Sequence, residues 1–311
     1  MGSRQPPRGP ATAVARAGSS RGIALISVLW ITALLAVMAA SFVSSSRTEA
    51  RLARNQLENA KAQALADGGL QRAVLGLLQY EPERLWRPDG RIYSLELGEG
   101  DVQITIRDED GKIDINEGSP ELLTGLFVAL DLEPEAAETL AERIVDFRDP
   151  DSDPEPQGAE DPAYLAAGLV EGAADRPLVS ESELLRVLGM TEALYRRIKP
   201  HVTVHSGSDG VDPTRATKAV LGALPGITPE IIERLMAAGP DDDPLDAIED
   251  DEVLEQIDLF WLPSREAVFT IRAEAWTHGG GHFVREAVIE LDGSPEQPFL
   301  VYTWRQGFGE S

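Results

Sequence analysis

No cysteine occurs anywhere in the 311 residues, which excludes disulfides, zinc–thiolate sites, iron–sulfur clusters and cysteine nucleophiles. Histidine is almost as scarce. His201, His205, His278 and His282 are the whole supply, too little for a histidine-rich catalytic metal centre. Basic residues are outnumbered, 28 against 53 acidic, for a net charge of −25. That balance argues against a general nucleic-acid binder, whose affinity rests on neutralising phosphates. It suits a solvated export-side protein or one that binds cations. No G-x-S-x-G nucleophile elbow accompanies the glycine run at 279–281, and no nucleophile–base pair stands out. The apolar fraction of 42% is enough for a packed core, and the length allows one large domain or two ordinary ones.

The charge is unevenly spread. Residues 1–22 carry Arg4, Arg8, Arg16 and Arg21 and no acid, so the remainder holds 24 basic against 53 acidic residues, a net of −29. From Gly22 to Ser46 there are 25 consecutive uncharged positions, and 18 of the 21 residues in Ile23–Val43 are apolar. A helix of that length spans roughly 30 Å or more, the thickness of a bilayer's hydrocarbon core. The basic side would stay inside and the acidic bulk outside. Three readings compete: a buried core helix, a cleaved secretory signal cut near Ala39–Ala40, and a membrane helix that runs on into a soluble one. Signal h-regions run about 7–15 residues, shorter than this. The sequence Arg47–Leu78 has no proline and places Ala53, Leu57, Ala60, Ala64, Leu70, Val74 and Leu77 on one face. These favour the third reading, one helix of about 50 residues.

Leu95–Arg107 reads as a β-hairpin, with Val102, Ile104 and Ile106 alternating. Strand-like sequence returns only as Ala267–Trp276, Phe283–Leu291 and Phe299–Trp304, the first two joined through a flexible Gly279-Gly280-Gly281 turn. Between these groups, Pro134–Phe147 and Glu181–Leu188 read as helices. The predicted fold class is therefore α+β: a long N-terminal helix and a small antiparallel sheet, interrupted by an α-helical insertion. Inside that insertion Ala219–Ile227 contains Leu224-Pro225-Gly226-Ile227, the turn of a helix-hairpin-helix element. Such a turn holds a DNA phosphate in many proteins and is a packing module of sterile-alpha-motif type in others. From Leu235 to Ser264 there are ten acids and no base, which would repel a phosphate backbone. A membrane-anchored DNA-binding or uptake protein is the alternative function this segment keeps open.

The sharpest chemical pattern begins at Asp149. Counting it as position 1, carboxylates fall at 3 (Asp151), 5 (Asp153) and 12 (Glu160), with Asp161 next. This is the ligand spacing of a calcium loop. Pro154 stands at position 6, where an EF-hand needs glycine, so the turn geometry must differ. Hard oxygen donors without Cys or His favour Ca²⁺ over zinc or copper. The competing reading is a solvated acidic loop before a helix, which would have to crowd its carboxylates without a cation.

The stretch Ser20-Arg21-Gly22-Ile23-Ala24-Leu25-Ile26-Ser27-Val28-Leu29-Trp30 resembles the class III leader of type IV pilins and type II secretion pseudopilins. The resemblance implies cutting by prepilin peptidase between Gly22 and Ile23, with methylation of the new terminus. Most such proteins carry glutamate at the fifth mature position. Ser27 stands there, as in the K-type minor pseudopilins, which lack that glutamate. The run Asp146-Phe147-Arg148-Asp149-Pro150-Asp151-Ser152-Asp153, with Gly158-Ala159-Glu160-Asp161 and Tyr164, is similar to the acidic stretch through which K-type members bind Ca²⁺. What the resemblance implies is a non-enzymatic minor pseudopilin. It would be single-pass in the inner membrane with its bulk in the periplasm, capping the pseudopilus tip with I- and J-type minor pseudopilins and without nucleic acid. The expected division is a leader 1–22, a transmembrane helix 23–46, a pilin-like helix and first strands 47–107, an insertion 108–263 and closing strands 264–311.

Overall fold

The computed structural model describes residues 21–79, 86–237, 248, 250–262, 265, 267–291, 294 and 296–307. Residues 1–20, which hold most of the expected leader, and the acidic residues 241–247 lie outside them. The chain forms two compact units, one reaching to Leu57 and the other beginning at Glu58.

Helix α1 (Arg21–Leu78) is a single α-helix of 58 residues. Helical hydrogen bonds satisfy the backbone beyond the first turn, and the uncharged apolar side chains of its first half suit a hydrocarbon surrounding. Among the described residues it is the one helix long and apolar enough to cross a membrane, with a mean hydropathy of 2.3 in its apolar stretch. Past Glu58 the helix becomes one-sided: Ala62, Ala66, Leu70, Ala73, Val74 and Leu77 are buried.

That face lies on a five-stranded antiparallel sheet. The strands are β1 (Asp89–Leu97), β2 (Gly100–Asp108), β5 (Val268–Thr277), β6 (His282–Leu291) and β7 (Phe299–Gln306), in the order β1-β2-β5-β6-β7. Alternation makes the sheet face: Val102, Ile104 and Ile106 of β2 point to the same side as Ile271, Ala273 and Ala275 of β5, and all six are buried against α1. Fully burying a leucine or isoleucine here stabilises the fold by about 1.5–3 kcal/mol. β2 pairs β5 in unbroken register from Gly100↔Thr277 to Asp108↔Phe269. Two neighbouring strands are thus separated in sequence by the whole insertion.

The chain leaves the sheet at Asp108 and rejoins it at Val268. In between come the two-residue strand β3 (Ile113–Asp114), then α2 (Pro120–Ala129), α3 (Pro134–Arg148), α4 (Asp161–Ala166), α5 (Glu192–Ile198), strand β4 (Val202–Thr203), α6 (Lys218–Leu221), α7 (Pro229–Ala237) and α8 (Asp251–Asp258). Local chemistry sets their starts. Ser119 accepts from the Leu122 N–H before α2, Thr191 from Leu194 before α5 and Thr217 from Val220 before α6, and proline opens α2, α3 and α7. Their apolar faces build a second core, including Leu126 and Phe127 of α2, Ile144 and Phe147 of α3, and Tyr164 of α4.

Two sequence expectations need correction. Glu181–Leu188 is not an α-helix: Glu181–Arg186 is 3₁₀, closed by Glu183 N–H to Ser180 O and Val187 N–H to Leu184 O. A segment this short gains little from α-helical bonds and is governed by its anchors, here the buried Leu184. The insertion also is not strand-free, because β3 and β4 pair in parallel through Ile113↔Val202 and Asp114↔Thr203. A two-residue pairing carries no sequence period.

The polar junction where the insertion meets the sheet is tied from both sides, although one carboxylate oxygen of Glu109 is left without a hydrogen-bond partner. Glu109, fully buried, pairs with Lys112 and accepts from Thr270 Oγ1 at 2.7 Å. Asp110 accepts from the backbone of Arg265 at 2.8 Å.

Candidate metal centre

Helix α3 ends in Asp146-Phe147-Arg148. Phe147 is buried in the helical core, whereas Asp146 falls on the opposite, polar side of α3 with Thr139 and Glu142 and is fully buried by the loop that folds back over it. Asp149, extended at φ −83° and ψ 159°, then redirects the chain into a loop that returns at Glu160, the residue preceding α4. Glu160 sits in capping position yet caps nothing with its side chain; its carboxylate is turned into the loop and is only 7% exposed.

The loop is wound on its own carboxylates. Asp146 Oδ1 accepts from the Glu155 N–H at 3.1 Å and Asp151 Oδ1 from the Asp153 N–H at 2.9 Å. Gly158 permits the closure: a Cβ there would fall 1.9 Å from Asp146 Oδ2, so no other residue fits without displacing that carboxylate. The nearest basic side chain in sequence, Arg148, is turned away to the carbonyls of Ile115 and Gly118.

Carboxylate oxygens of Asp149, Asp151 and Glu160 lie within 4.8 Å of one another. Buried side-chain polar atoms without a hydrogen-bond partner number six among the described residues. Three of them belong to this loop: Asp146 Oδ2, Asp149 Oδ1 and Glu160 Oε1. Buried carboxylate oxygens are rarely left unpartnered, since each gives up its hydration for nothing. The electrostatics agree. Burial, reinforced by Asp146 and Asp149, pushes the Glu160 carboxyl up to about 7. Burial likewise raises Asp149 and Asp146, with Asp151 adding to both.

The donor set fits a hard divalent cation. Oxygens bound to Ca²⁺ at about 2.3–2.6 Å can stand up to roughly 5 Å apart across the ion, a limit the trio respects. Asp153, counted with the trio from spacing, and Asp161, added beside Glu160, lie outside that group and are exposed. Asp161 Oδ1 instead accepts from the Ala173 N–H at 3.1 Å and ties down the following loop. Asp146 is the residue that counting from Asp149 misses. Its signal in sequence is weak: an aspartate on the polar side of α3, four residues after Glu142, where an exposed position is expected.

The other sequence-selected positions are simpler. Gly22 and Ile23 fall within the first turn of α1. The Leu224-Pro225-Gly226-Ile227 turn joins α6 to α7, and Ala223 and Leu224 are buried in the helical core, so the segment packs. Lys218 at its start is paired with Glu233 at 2.7 Å.

Taken together, a long helix apolar in its first half, an antiparallel sheet laid against its second half, and a helical insertion carrying an acidic nest define a pilin-like protein of the pseudopilin class. The family described as "Type II secretion system (T2SS), protein K" matches residues 102–207. Type II secretion system protein K of Pseudomonas aeruginosa is 30% identical over 240 residues, spanning 70% of this chain and 72% of that one. Its counterpart from Klebsiella pneumoniae is 31% identical over 231 residues, spanning 66% and 70%. The chain belongs to the type II secretion system protein K family. A likeness in fold extends to a chain in the crystal structure of the GspK-GspI-GspJ complex from the type 2 secretion system of enterotoxigenic Escherichia coli. There the TM-score is 0.56 at 23% identity, over 85% of this chain and 100% of the other.

Proposed function

We propose that this chain is a non-enzymatic minor pseudopilin that is anchored by α1 in the inner membrane, carries its bulk in the periplasm and caps the tip of the pseudopilus. The observation that carries the reading is the insertion between the paired strands β2 and β5, which places residues 109–267 in the connection between two neighbouring strands of a pilin-like sheet. In a filament whose subunits stack through their apolar helices, that bulk repeated at every subunit would clash; at an end it has room. Ser27 supports the same position. A glutamate at that point would neutralise a neighbour's terminal amine, and an amine buried among packed helices without its counter-charge is costly. A subunit without the carboxylate suits a place where no such neighbour has to be served.

The processing expected from the leader resemblance, cutting between Gly22 and Ile23 with methylation of Ile23, belongs to this reading. So do I- and J-type minor pseudopilins as partners, by likeness to the complex from Escherichia coli. Calcium held by Asp149, Asp151 and Glu160, with Asp146 bracing the loop, would act as a staple in an insertion that has no disulfides. Bound ion would supply charge neutralisation and nothing chemical. The acidic run near α8 gives nucleic acid no place in this function.

One experiment tests the reading. The full chain is affinity-purified from membranes and its associated proteins are identified by intact mass. The expected result is a chain beginning at a methylated Ile23, accompanied by the I- and J-type subunits. A terminus near Ser41, or a chain recovered as long homopolymers without either partner, would defeat it.

A further inference from the structure

The second unit of the chain is acidic throughout, but the segment just past the apolar span is not. Between Arg47 and Leu57 there are three basic residues, Arg47, Arg51 and Arg54, and a single acid, Glu49. Spacings of 4 and 3 put the three arginines within about 60° of one another on one face of α1, whereas Glu49 falls on the opposite side. All three are exposed, and among the described residues none is joined to a carboxylate in an ion pair. Glu49 is occupied with Ser45 Oγ at 3.4 Å.

Position and direction add to the charge. The uncharged run Gly22–Ser46 is about 37 Å long as a helix, against a hydrocarbon core of about 30 Å, so Arg47 emerges at the headgroup level and the other two within the next two turns. Side chains of a helix lean toward its N-terminus, which here is toward the membrane. The arginine face also continues inward along a shallow strip lined by Ala39, Ala40, Val43 and Ser44 together with Arg47 and Arg51. An acyl chain can lie against the small apolar residues while the guanidinium groups reach phosphate oxygens, for which their planar fork is suited.

We propose that Arg47, Arg51 and Arg54 form a binding face for anionic phospholipid headgroups on the outer surface of the membrane that α1 spans. The proposal rests on the membrane-spanning reading given above. The face holds the helix at a fixed depth. A protein carboxylate from a neighbouring subunit is a poorer occupant, because the face lies at headgroup depth and its side chains point toward the bilayer.

The test uses the full chain in bilayers of equal parts phosphatidylcholine and phosphatidylglycerol. Retained lipids are counted by native mass spectrometry after release. Each arginine near an anionic surface contributes about fivefold, so the three together should favour phosphatidylglycerol by up to about a hundredfold at low salt. The triple variant R47Q/R51Q/R54Q should retain the two lipids equally, and the lysine triple variant should keep most of the preference. High salt should weaken the native preference. Equal retention of the two lipids by the native chain, or an undiminished preference in the glutamine variant, would overturn the proposal. Extraction from the vesicles by alkaline carbonate would defeat the spanning reading itself. A carbonate-resistant chain without lipid preference defeats the headgroup face alone.

Discussion

Glu160 holds its place because Gly158, two residues earlier, lets the loop fold onto Asp146. The result is a set of carboxylates whose repulsion is an intrinsic weakness of the metal-free protein. The folded-state value of Glu160, about 7, lies above its ordinary 4.5. The folded state therefore binds this proton more tightly than the unfolded one, and stability falls as the pH rises from about 4.5 to about 7. For a nearly buried carboxylate on a loop open to some screening, the loss should be about 2 kcal/mol. Chelated protein is thus expected to melt at lower temperature at pH 8 than at pH 5, and Glu160→Gln should flatten that dependence. A chelated protein whose melting temperature is unchanged between the two would show that the carboxylates are not in conflict.

Adding Ca²⁺ should offset this loss, with a stabilisation of about 2.7 kcal/mol in total at a hundredfold excess over the Kd at that pH. Asp149→Ala with Glu160→Ala should abolish this gain, while Asp153→Ala should leave most of it. Identical melting curves with calcium and with chelator would count against the site. At this scale the sequence was half sufficient. Asp149, Asp151 and Glu160 are found by counting, because a loop that curls round a point brings alternate short side chains together. Asp146 is not, because its burial depends on a glycine twelve residues away that a spacing rule does not weigh. Asp161 stands one place past the count, and its carboxylate is spent on the Ala173 amide.

Among the elements, those with strong periods were readable and those made by distant contacts were not. α1 announces itself by 25 uncharged positions followed by a one-sided pattern, and β2, β5 and β6 by alternation. The short β3–β4 pair joins residues nearly ninety positions apart and has no local mark. The 3₁₀ segment at Glu181–Arg186 shares the i, i+3 spacing of leucines with an α-helix, and only its closing bonds tell them apart. How closely elements pack is likewise invisible in sequence, and Gly125 in α2 illustrates it. A Cβ at this position would stand 2.2 Å from the backbone oxygen of Ala223, beside the turn between α6 and α7. Backbone cannot yield as a flexible side chain does, so Gly125→Ala should destabilise the protein by about 1–3 kcal/mol, although alanine is the better helix former. Denaturant unfolding of the two proteins checks this; a stabilised variant would mean that α2 does not rest on that turn.

For the whole molecule, composition suggests a direction before any fold: arginines ahead of the apolar span and an acid excess after it are the order expected of a chain that crosses a membrane once. On the proposed reading the insertion between β2 and β5 sets the place in an assembly, because bulk added between two paired strands would crowd a closely repeating filament. That claim is open to a direct count. Single fluorophores attached to the full chain in actively secreting cells, with the major pseudopilin marked in a second colour, would show how many copies each pseudopilus holds and where. The account predicts one copy, at the distal end. Several copies distributed along the filament would contradict it.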